Sequence, residues 1–186
     1  RWNITCIRCH TTRGKPQVVG QWEAYSDVAE YGISCEACHG PAEEHVRQKT
    51  NPLSRYESHL SDKKEADVVN PRRLAARRGS EVCGQCHSLL RPVTQDALKE
   101  FLADGHDYVP GQELNKPGRV VPQVSNAELM AQLQNGGEPN YIEERFWSDG
   151  MVRVSGREFN GLLESPCFKH DDPARQMTCF DCHQMH

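Results

Sequence analysis

The chain has 186 residues and a formal net charge of −4, and only 37% of its residues are hydrophobic and 7% aromatic. A chain of this length is ordinarily one domain, but this composition is short of material for an ordinary side-chain core. The acidic balance argues against nucleic acid and anionic membrane surfaces as partners, and no apolar run approaches the length of a membrane-spanning helix.

The sequence Cys-x-x-Cys-His occurs four times along the chain. The copies are Cys6, Cys9 and His10; Cys35, Cys38 and His39; Cys83, Cys86 and His87; and Cys179, Cys182 and His183. With nine cysteines and nine histidines in the chain, chance would give about 0.02 such matches. This spacing is the attachment signature of c-type haem, in which two thiols form thioethers with the porphyrin and the next imidazole binds the iron as proximal ligand. The sequence therefore predicts four covalently attached haem c groups.

Paired cysteines also have other uses in proteins. A zinc ribbon has paired Cys-x-x-Cys knuckles, a thioredoxin-like redox site has one such pair, and structural disulfide clusters are a further alternative. None of these requires a histidine directly after the second cysteine in every copy. The repeated histidine therefore favours haem attachment over zinc and over disulfides.

Four macrocycles would supply the apolar interior that the side chains lack. We therefore expect a mainly α fold with much irregular loop, in which short helices wrap round a stacked haem chain. The expected organisation is a single domain over residues 1–186, with a haem-motif-free insertion at about 89–176.

Two helix boundaries are predicted in the first half of the chain. Gly40 and Pro41 should end the helix of the second motif and start a new one that carries His45 away from its own haem. Asn70 and Pro71 should start another helix that stops at Gly79, after which Ser80 caps the helix of the third motif. Four arginines of this region form either a solvated helical face or partners for haem propionates: Arg72, Arg73, Arg77 and Arg78.

The insertion and the last motif contain four predicted elements. Amphipathic helices are expected over Thr94–Gly105 and Ser125–Gly136, because each has an N-cap, apolar residues at helical spacing and a terminating glycine. Phe146–Val154 should form a hairpin with an Asp-Gly turn and be the only sheet. Met177–His186 should be a helix that carries the fourth motif.

The remaining histidines decide between two kinds of haem protein. An iron with two histidine ligands is closed and suits electron transfer, whereas an iron without a distal ligand can bind a substrate. Five histidines lie outside the motifs, which is enough to close all four sites: His45, His59, His106, His170 and His186. We choose His45, His59, His106 and His186 as distal ligands, with His170 as a replacement.

Two further groups could have special roles. A methionine could replace one distal histidine, and the candidates are Met130, Met151, Met177 and Met185. Cys167 lies outside the motifs, and such a thiol is either buried or pairs with another chain.

Covalent haem attachment takes place outside the cytoplasm, so we expect a periplasmic, extracellular or cell-surface protein. Arg1 lies five residues before Cys6 with no basic-then-apolar leader, which predicts a processed chain or a piece of a longer one. Haem propionates add negative charge, so a redox protein with a basic docking patch is the expected partner.

Residues 33–45, 82–87 and 177–186 together resemble the multihaem cytochrome family typified by the tetrahaem electron acceptor of ammonia-oxidising bacteria. The Cys-His-Gly-Pro-x-x-x-His element is the most specific part of this resemblance, which leaves Leu89–Lys169 unmatched. The resemblance implies closely stacked haem pairs, with His45 as the distal ligand of another haem. The family also includes members with one open haem.

These observations predict a non-catalytic electron carrier that passes electrons along four bis-histidine haems. The alternative is an oxidoreductase that acts on a small nitrogen or sulfur compound at one five-coordinate haem. In architecture the chain also resembles small tetrahaem proteins that polymerise into extracellular filaments, some of which borrow a distal histidine from the next subunit. A homo-oligomeric filament and a monomeric shuttle therefore remain the two expectations for assembly.

Overall fold

The computed structural model describes residues 2–21, 23–60, 68–116, 119–120, 127–128, 130–131, 140 and 143–186, with side chains except at Ser58, His59, Arg119 and Val120. In these ranges the α-helices are α1 (Ile7–His10), α2 (Cys35–His39), α3 (Glu43–Lys49), α4 (Pro52–Leu60), α5 (Ala76–His87), α6 (Gln95–Asp104) and α7 (Glu158–Glu164). A π turn over Trp2–Cys6 precedes α1, and 3₁₀ turns occupy Pro71–Arg73, Pro173–Arg175 and Cys179–Asp181.

The strands are two residues long and form three separate antiparallel pairs. They are β1 (Thr11–Thr12), β2 (Val18–Val19), β3 (Glu23–Ala24), β4 (Glu30–Tyr31), β5 (Arg91–Pro92) and β6 (Arg119–Val120). Thr11 pairs with Tyr31 and Val18 with Ala24, while Arg91 pairs with Val120. The architecture is therefore helix-rich with a few small strands and irregular loops, which confirms the predicted class at this level.

The expectation of a single sheet at residues 146–154 is wrong. That segment does turn back on itself, but Phe146 and Val152 form only an isolated bridge. The Asp149 carboxylate accepts a hydrogen bond from the Met151 N–H at 3.0 Å, and Gly150 has a φ of 87°. The turn chemistry was therefore predicted correctly, whereas the small sheets elsewhere are too short for a periodic signal.

The predicted helix over Thr94–Gly105 is confirmed as α6. The Thr94 hydroxyl accepts a hydrogen bond from the Ala97 N–H at 3.2 Å, and Gly105 ends the helix with a φ of 75°. Of the helix predicted over Ser125–Gly136, residues 127–128 and 130–131 are helical, and the rest lies outside the described residues.

The helix boundary predicted at Gly79 and Ser80 is wrong. Asn70 does cap a turn at Pro71–Arg73, but α5 then runs without a break from Ala76 through Gly79 to His87. Gly79 has a spatial role, because a Cβ atom there would lie 2.5 Å from the Pro71 carbonyl oxygen. The glycine therefore permits close packing and does not end the helix.

The helix predicted over Met177–His186 is also wrong. Cys179–Asp181 form one 3₁₀ turn, which a capping box between Thr178 and Asp181 closes, and the residues after Cys182 are irregular. A segment this short gains too little from helix propagation to offset nucleation unless it packs against other elements. His186 therefore does not lie one helical turn beyond His183.

Both clusters of buried hydrophobic side chains in the described ranges lie in the segment after the third motif, while Ile7 and Val82 are buried within the helices of the first and third motifs. One cluster contains Leu90, Tyr108, Leu114, Phe159, Leu163 and Phe168, and a second contains Leu89, Met130 and Phe146. Phe159 of α7 packs directly on α5, where a Cβ atom at Gly84 would lie 2.6 Å from its Cδ1 atom. Near the first motif, the Gln17 N–H donates to the Ala103 carbonyl of α6 at 3.0 Å. The insertion therefore packs against the segments that carry the first and third motifs.

No helix within the described ranges is long and apolar enough to span a bilayer. Cys167 is exposed, so the expectation that this thiol is buried is wrong. Its neighbours in sequence, Ser165 and Phe168, form a tight turn in which the Phe168 N–H donates to the Ser165 carbonyl at 3.1 Å.

Candidate haem centre

The first and third motifs are joined through Arg8, which lies between the two cysteines of the first motif. Its guanidinium donates to the Ser88 carbonyl at 2.8 Å and to the carbonyls of Gln85 and Leu90, each at 3.4 Å. The carbonyls of Gln85 and Ser88 lie at the C-terminal end of α5, where backbone acceptors have no helical partner and a positive charge is favourable. Arg8 is therefore a cap on the helix of another motif.

The second and fourth motifs also contact α5. The Gln85 side chain, between the two cysteines of the third motif, donates to the Ala37 carbonyl between those of the second at 2.7 Å. The Ser80 hydroxyl accepts a weak hydrogen bond from the Cys179 N–H at 3.5 Å. All three other motifs therefore lie against one helix.

Thiols of different motifs are in contact as a result. A hydrogen bond from Cys86 lowers the pKa of the Cys9 thiol to about 6, and the nearby Arg8 charge acts in the same direction. A hydrogen bond from Cys83 lowers the pKa of Cys179 to about 7. The pKa values of Cys86 and Cys83 are raised by the same hydrogen bonds and by burial. Cys9 with Cys86, and Cys179 with Cys83, therefore bring thiols of different motifs together.

Two histidines of the motifs have their tautomer fixed by a neighbour. The His39 Nδ1 atom donates to the Val69 carbonyl at 2.6 Å, and the His87 Nδ1 atom donates to the Glu158 carboxylate at 3.0 Å. Such bonds leave the Nε2 lone pair available for a metal and orient the ring. His10 and His183 are exposed.

The carboxylate that contacts His87 is itself held ionised. Desolvation alone would raise the pKa of Glu158, but hydrogen bonds from His87 and from the backbone N–H groups of Glu158 and Gly156 outweigh it and lower the pKa below its ordinary value. Sequence reasoning did not identify Glu158, because it lies 71 residues from His87 in a segment without a motif.

The histidines chosen as distal ligands have different surroundings. His186 faces His39, with 3.5 Å between their Nε2 atoms. His45 lies on α3, which follows Gly40 and Pro41 as predicted, and no described group hydrogen-bonds its buried Nδ1 atom. His106 has buried ring nitrogens and contacts Phe101, with 5.0 Å between the ring centroids. The side chain of His59 lies outside the described residues.

His170 differs from these histidines in its tautomer. The Asp172 N–H donates to its Nδ1 atom at 3.0 Å. A neutral imidazole that accepts at Nδ1 carries its proton on Nε2, so the nitrogen that usually binds haem iron has no free lone pair. This bond argues against His170 as a ligand.

A cavity of about 370 Å³ lies among the four motifs. This volume falls in the range of sites that hold small molecules and cofactors. Its apolar wall includes Ile7, Val82, Phe101, Tyr108 and Phe159. Its wall also includes residues of all four motifs: Arg8, Cys38, Cys83, Cys86, Cys179 and His183.

The arginines near α5 have protein partners. Arg77 and Arg78 form ion pairs with Glu81, whose side chain is 1% exposed, at 3.2 and 2.5 Å. Arg78 also pairs with Glu113, and Arg72 donates to the Phe180 carbonyl at 3.3 Å. Because three of the four arginines are engaged in this way, they hold α5 and the fourth motif in place and do not form a purely solvated face.

The donor set fits haem better than a protein-only metal site. Within the described ranges, no three histidine, cysteine, aspartate or glutamate side chains converge to hold a metal ion, whereas a structural zinc site uses four such ligands. Oriented single imidazoles next to paired thiols and an apolar cavity are what a covalently attached macrocycle requires.

Comparison with known families gives one match. The family model described as cytochrome c554 and c-prime matches residues 1–40. These residues contain the first two motifs complete. The match covers less than half of the chain and supports a c-type cytochrome at a coarse level. No curated protein and no solved structure matches the chain.

Proposed function

We propose that the chain is a single-domain tetrahaem cytochrome c, residues 1–186, that carries electrons along four bis-histidine haems. The observation that carries this proposal is the convergence of all four attachment motifs on α5, where Arg8 and Gln85 hold the first and second motifs against the third. Haem groups attached at these positions would lie close together, as electron transfer between them requires. The bound haems supply reversible one-electron chemistry.

The chain's own residues fix the ligands of these haems. His10, His39, His87 and His183 are the proposed proximal ligands, and His45, His59, His106 and His186 the proposed distal ones. The carbonyl of Val69 and the carboxylate of Glu158 orient two of the proximal rings. The position of His45 on α3, after the break at Gly40 and Pro41, and the position of His106 in the cavity wall are consistent with ligation.

Several apolar side chains next to the motifs are exposed to solvent. Bound haem groups that cover these side chains would explain their exposure. Trp2 and Ile4, just before the first motif, are 45% and 44% exposed, and Ile33, just before the second, is 65% exposed. Porphyrin faces packed against these side chains would exclude water from the attachment sites, which is favourable in proportion to the apolar area removed.

The proposed setting is the periplasm or the cell exterior, with redox proteins as partners. For assembly, the monomeric shuttle and the head-to-tail filament are distinguished by size-exclusion chromatography and electron microscopy of native material. A monodisperse species near the monomer mass at high concentration would exclude the filament.

Two measurements test the proposal on protein matured by a host that attaches c-type haem. Intact mass spectrometry should show four haems, each adding about 616 Da. Carbon monoxide should not change the spectrum of the reduced protein, because every iron has two histidine ligands. Three or fewer haems would contradict the stoichiometry, and a carbon monoxide adduct would favour an oxidoreductase with an open haem.

A further inference from the structure

We infer that His39 and His186 are the two axial ligands of one iron, that of the haem attached at Cys35 and Cys38. This inference rests on the proposed function and adds to it the identity of the distal ligand of the second haem.

The two rings face each other end to end. Their Nε2 atoms are 3.5 Å apart and their centroids 5.7 Å apart. A five-membered ring with bonds of about 1.35 Å has a radius of about 1.15 Å, so the centroid separation is close to the Nε2–Nε2 distance plus two radii. Both Nε2 atoms therefore lie between the ring centres, nearly in line.

The distance between the two nitrogens lies between that of an ordinary hydrogen bond and that of two imidazoles bound to one metal. Hydrogen bonds from nitrogen usually have donor–acceptor distances of about 2.7–3.2 Å, so a hydrogen bond between these two nitrogens, at 3.5 Å, would be a weak one. Imidazole nitrogens bind first-row metals at about 2.0–2.1 Å, so two trans ligands of one metal lie about 4 Å apart. A small outward shift of the His186 side chain, which is exposed, would bring the pair to that separation.

The protonation of His39 also suits ligation. Its Nδ1 proton is donated to the Val69 carbonyl at 2.6 Å, and a carbonyl can only accept. In the neutral ring the Nε2 atom therefore carries the lone pair, and this lone pair points towards His186. Cys35 and Cys38 lie on the same helix as His39, α2, which identifies the haem concerned.

This pairing makes the second and fourth haems neighbours. His183, the proximal ligand of the fourth haem, is three residues before His186. Three residues span at most about 10 Å, so the fourth haem is attached within that reach of a ligand of the second.

The test compares His186→Ala with the parent holoprotein and with His170→Ala, a control that removes a histidine whose Nδ1 atom is engaged by the Asp172 N–H. Electron paramagnetic resonance and carbon monoxide difference spectra report spin state and open coordination. His186→Ala should show one additional high-spin haem in four that binds carbon monoxide, and added imidazole should return it to low spin. His170→Ala should match the parent.

Identity of the haem is tested by adding His186→Ala to a variant in which Cys35→Ser and Cys38→Ser remove the second haem. No further high-spin haem should then appear. A low-spin spectrum for His186→Ala, or a new high-spin haem in the variant without the second haem, would overturn the pairing. Intact mass separates this failure from that of the proposed function, because four haems with unchanged spin contradict the pairing alone.

Discussion

Glu158 is the residue whose effect on a haem can be isolated most directly. Its carboxylate accepts a hydrogen bond from the His87 Nδ1–H group, with 3.0 Å between the nitrogen and the oxygen. This bond makes the imidazole a stronger electron donor and favours the oxidised iron. We expect Glu158→Gln to raise the reduction potential of one haem, as measured by a spectroelectrochemical titration. Glu164→Gln, on the same helix and paired with Lys169 at 2.7 Å, is the control and should leave all four potentials in place.

The same carboxylate predicts a dependence on pH. The pKa of Glu158 lies below its ordinary value of 4.5 in the folded protein, so the group is ionised at neutral pH and its contribution is constant there. As the pH falls through the lowered pKa, protonation should raise the potential of the His87 haem and remove the stabilisation that the ionised group gives the fold. Glu158→Gln should abolish this rise, and a rise that persists in the variant would contradict the assignment.

Helix α5 depends on two glycines that let other elements approach. We expect Gly84→Ala to lower the free energy of unfolding by about 1–3 kcal/mol, because its Cβ atom would overlap the Phe159 ring at 2.6 Å and overpacking of this kind is costly. Gly161→Ala, whose Cβ atom would lie 3.3 Å from Val152, is the milder control. Denaturant unfolding measures both, and adding Phe159→Leu to Gly84→Ala should recover part of the loss.

The stability of the C-terminal end of α5 depends on hydrogen bonds from Arg8. Arg8→Leu removes three carbonyl contacts across the first and third motifs, and buried acceptors left without a partner cost about 1–3 kcal/mol. We expect a lower midpoint of thermal unfolding, whereas Arg55→Leu, which removes one exposed bond to the Lys49 carbonyl, should be neutral. Equal effects of the two changes would show that Arg8 does not connect the motifs.

The sequence predicted those helix ends that are determined by residues close together in the chain. The caps at Thr94 and Gly105 gave α6, and Gly40 with Pro41 gave the break before α3. Gly79 was misread as a helix end because its reason is the Pro71 carbonyl, a tertiary contact that no local pattern contains. The hydrogen-bond partners in the site were missed for the same reason. Arg8, Gln85 and Glu158 bond to backbone carbonyls or to an imidazole ring that are distant in sequence.

At the scale of the whole molecule, the third motif should matter most for stability. Three other motifs contact α5, whereas the second motif contacts α5 through Gln85 and the segment of the first motif through the pairing of β4 with β1. We expect Cys83→Ser with Cys86→Ser to lower the thermal midpoint more than Cys35→Ser with Cys38→Ser, each measured on protein shown by mass to carry three haems. A larger loss of thermal midpoint in the second-motif variant would contradict the central role of α5.

The position of α5 along the chain also sets an order of events during export. A chain that crosses a membrane from its N-terminal end presents Cys6, Cys9, Cys35 and Cys38 to the attachment machinery before residues 76–87 have emerged. The first two motifs are then held together by the pairing of β1 with β4, but the contacts of Arg8 and Gln85 across to α5 do not yet exist. The contacts with α5 form only on arrival of the third motif, so in a chain interrupted before residue 76 the first two attachment sites would be positioned by β1 and β4 alone.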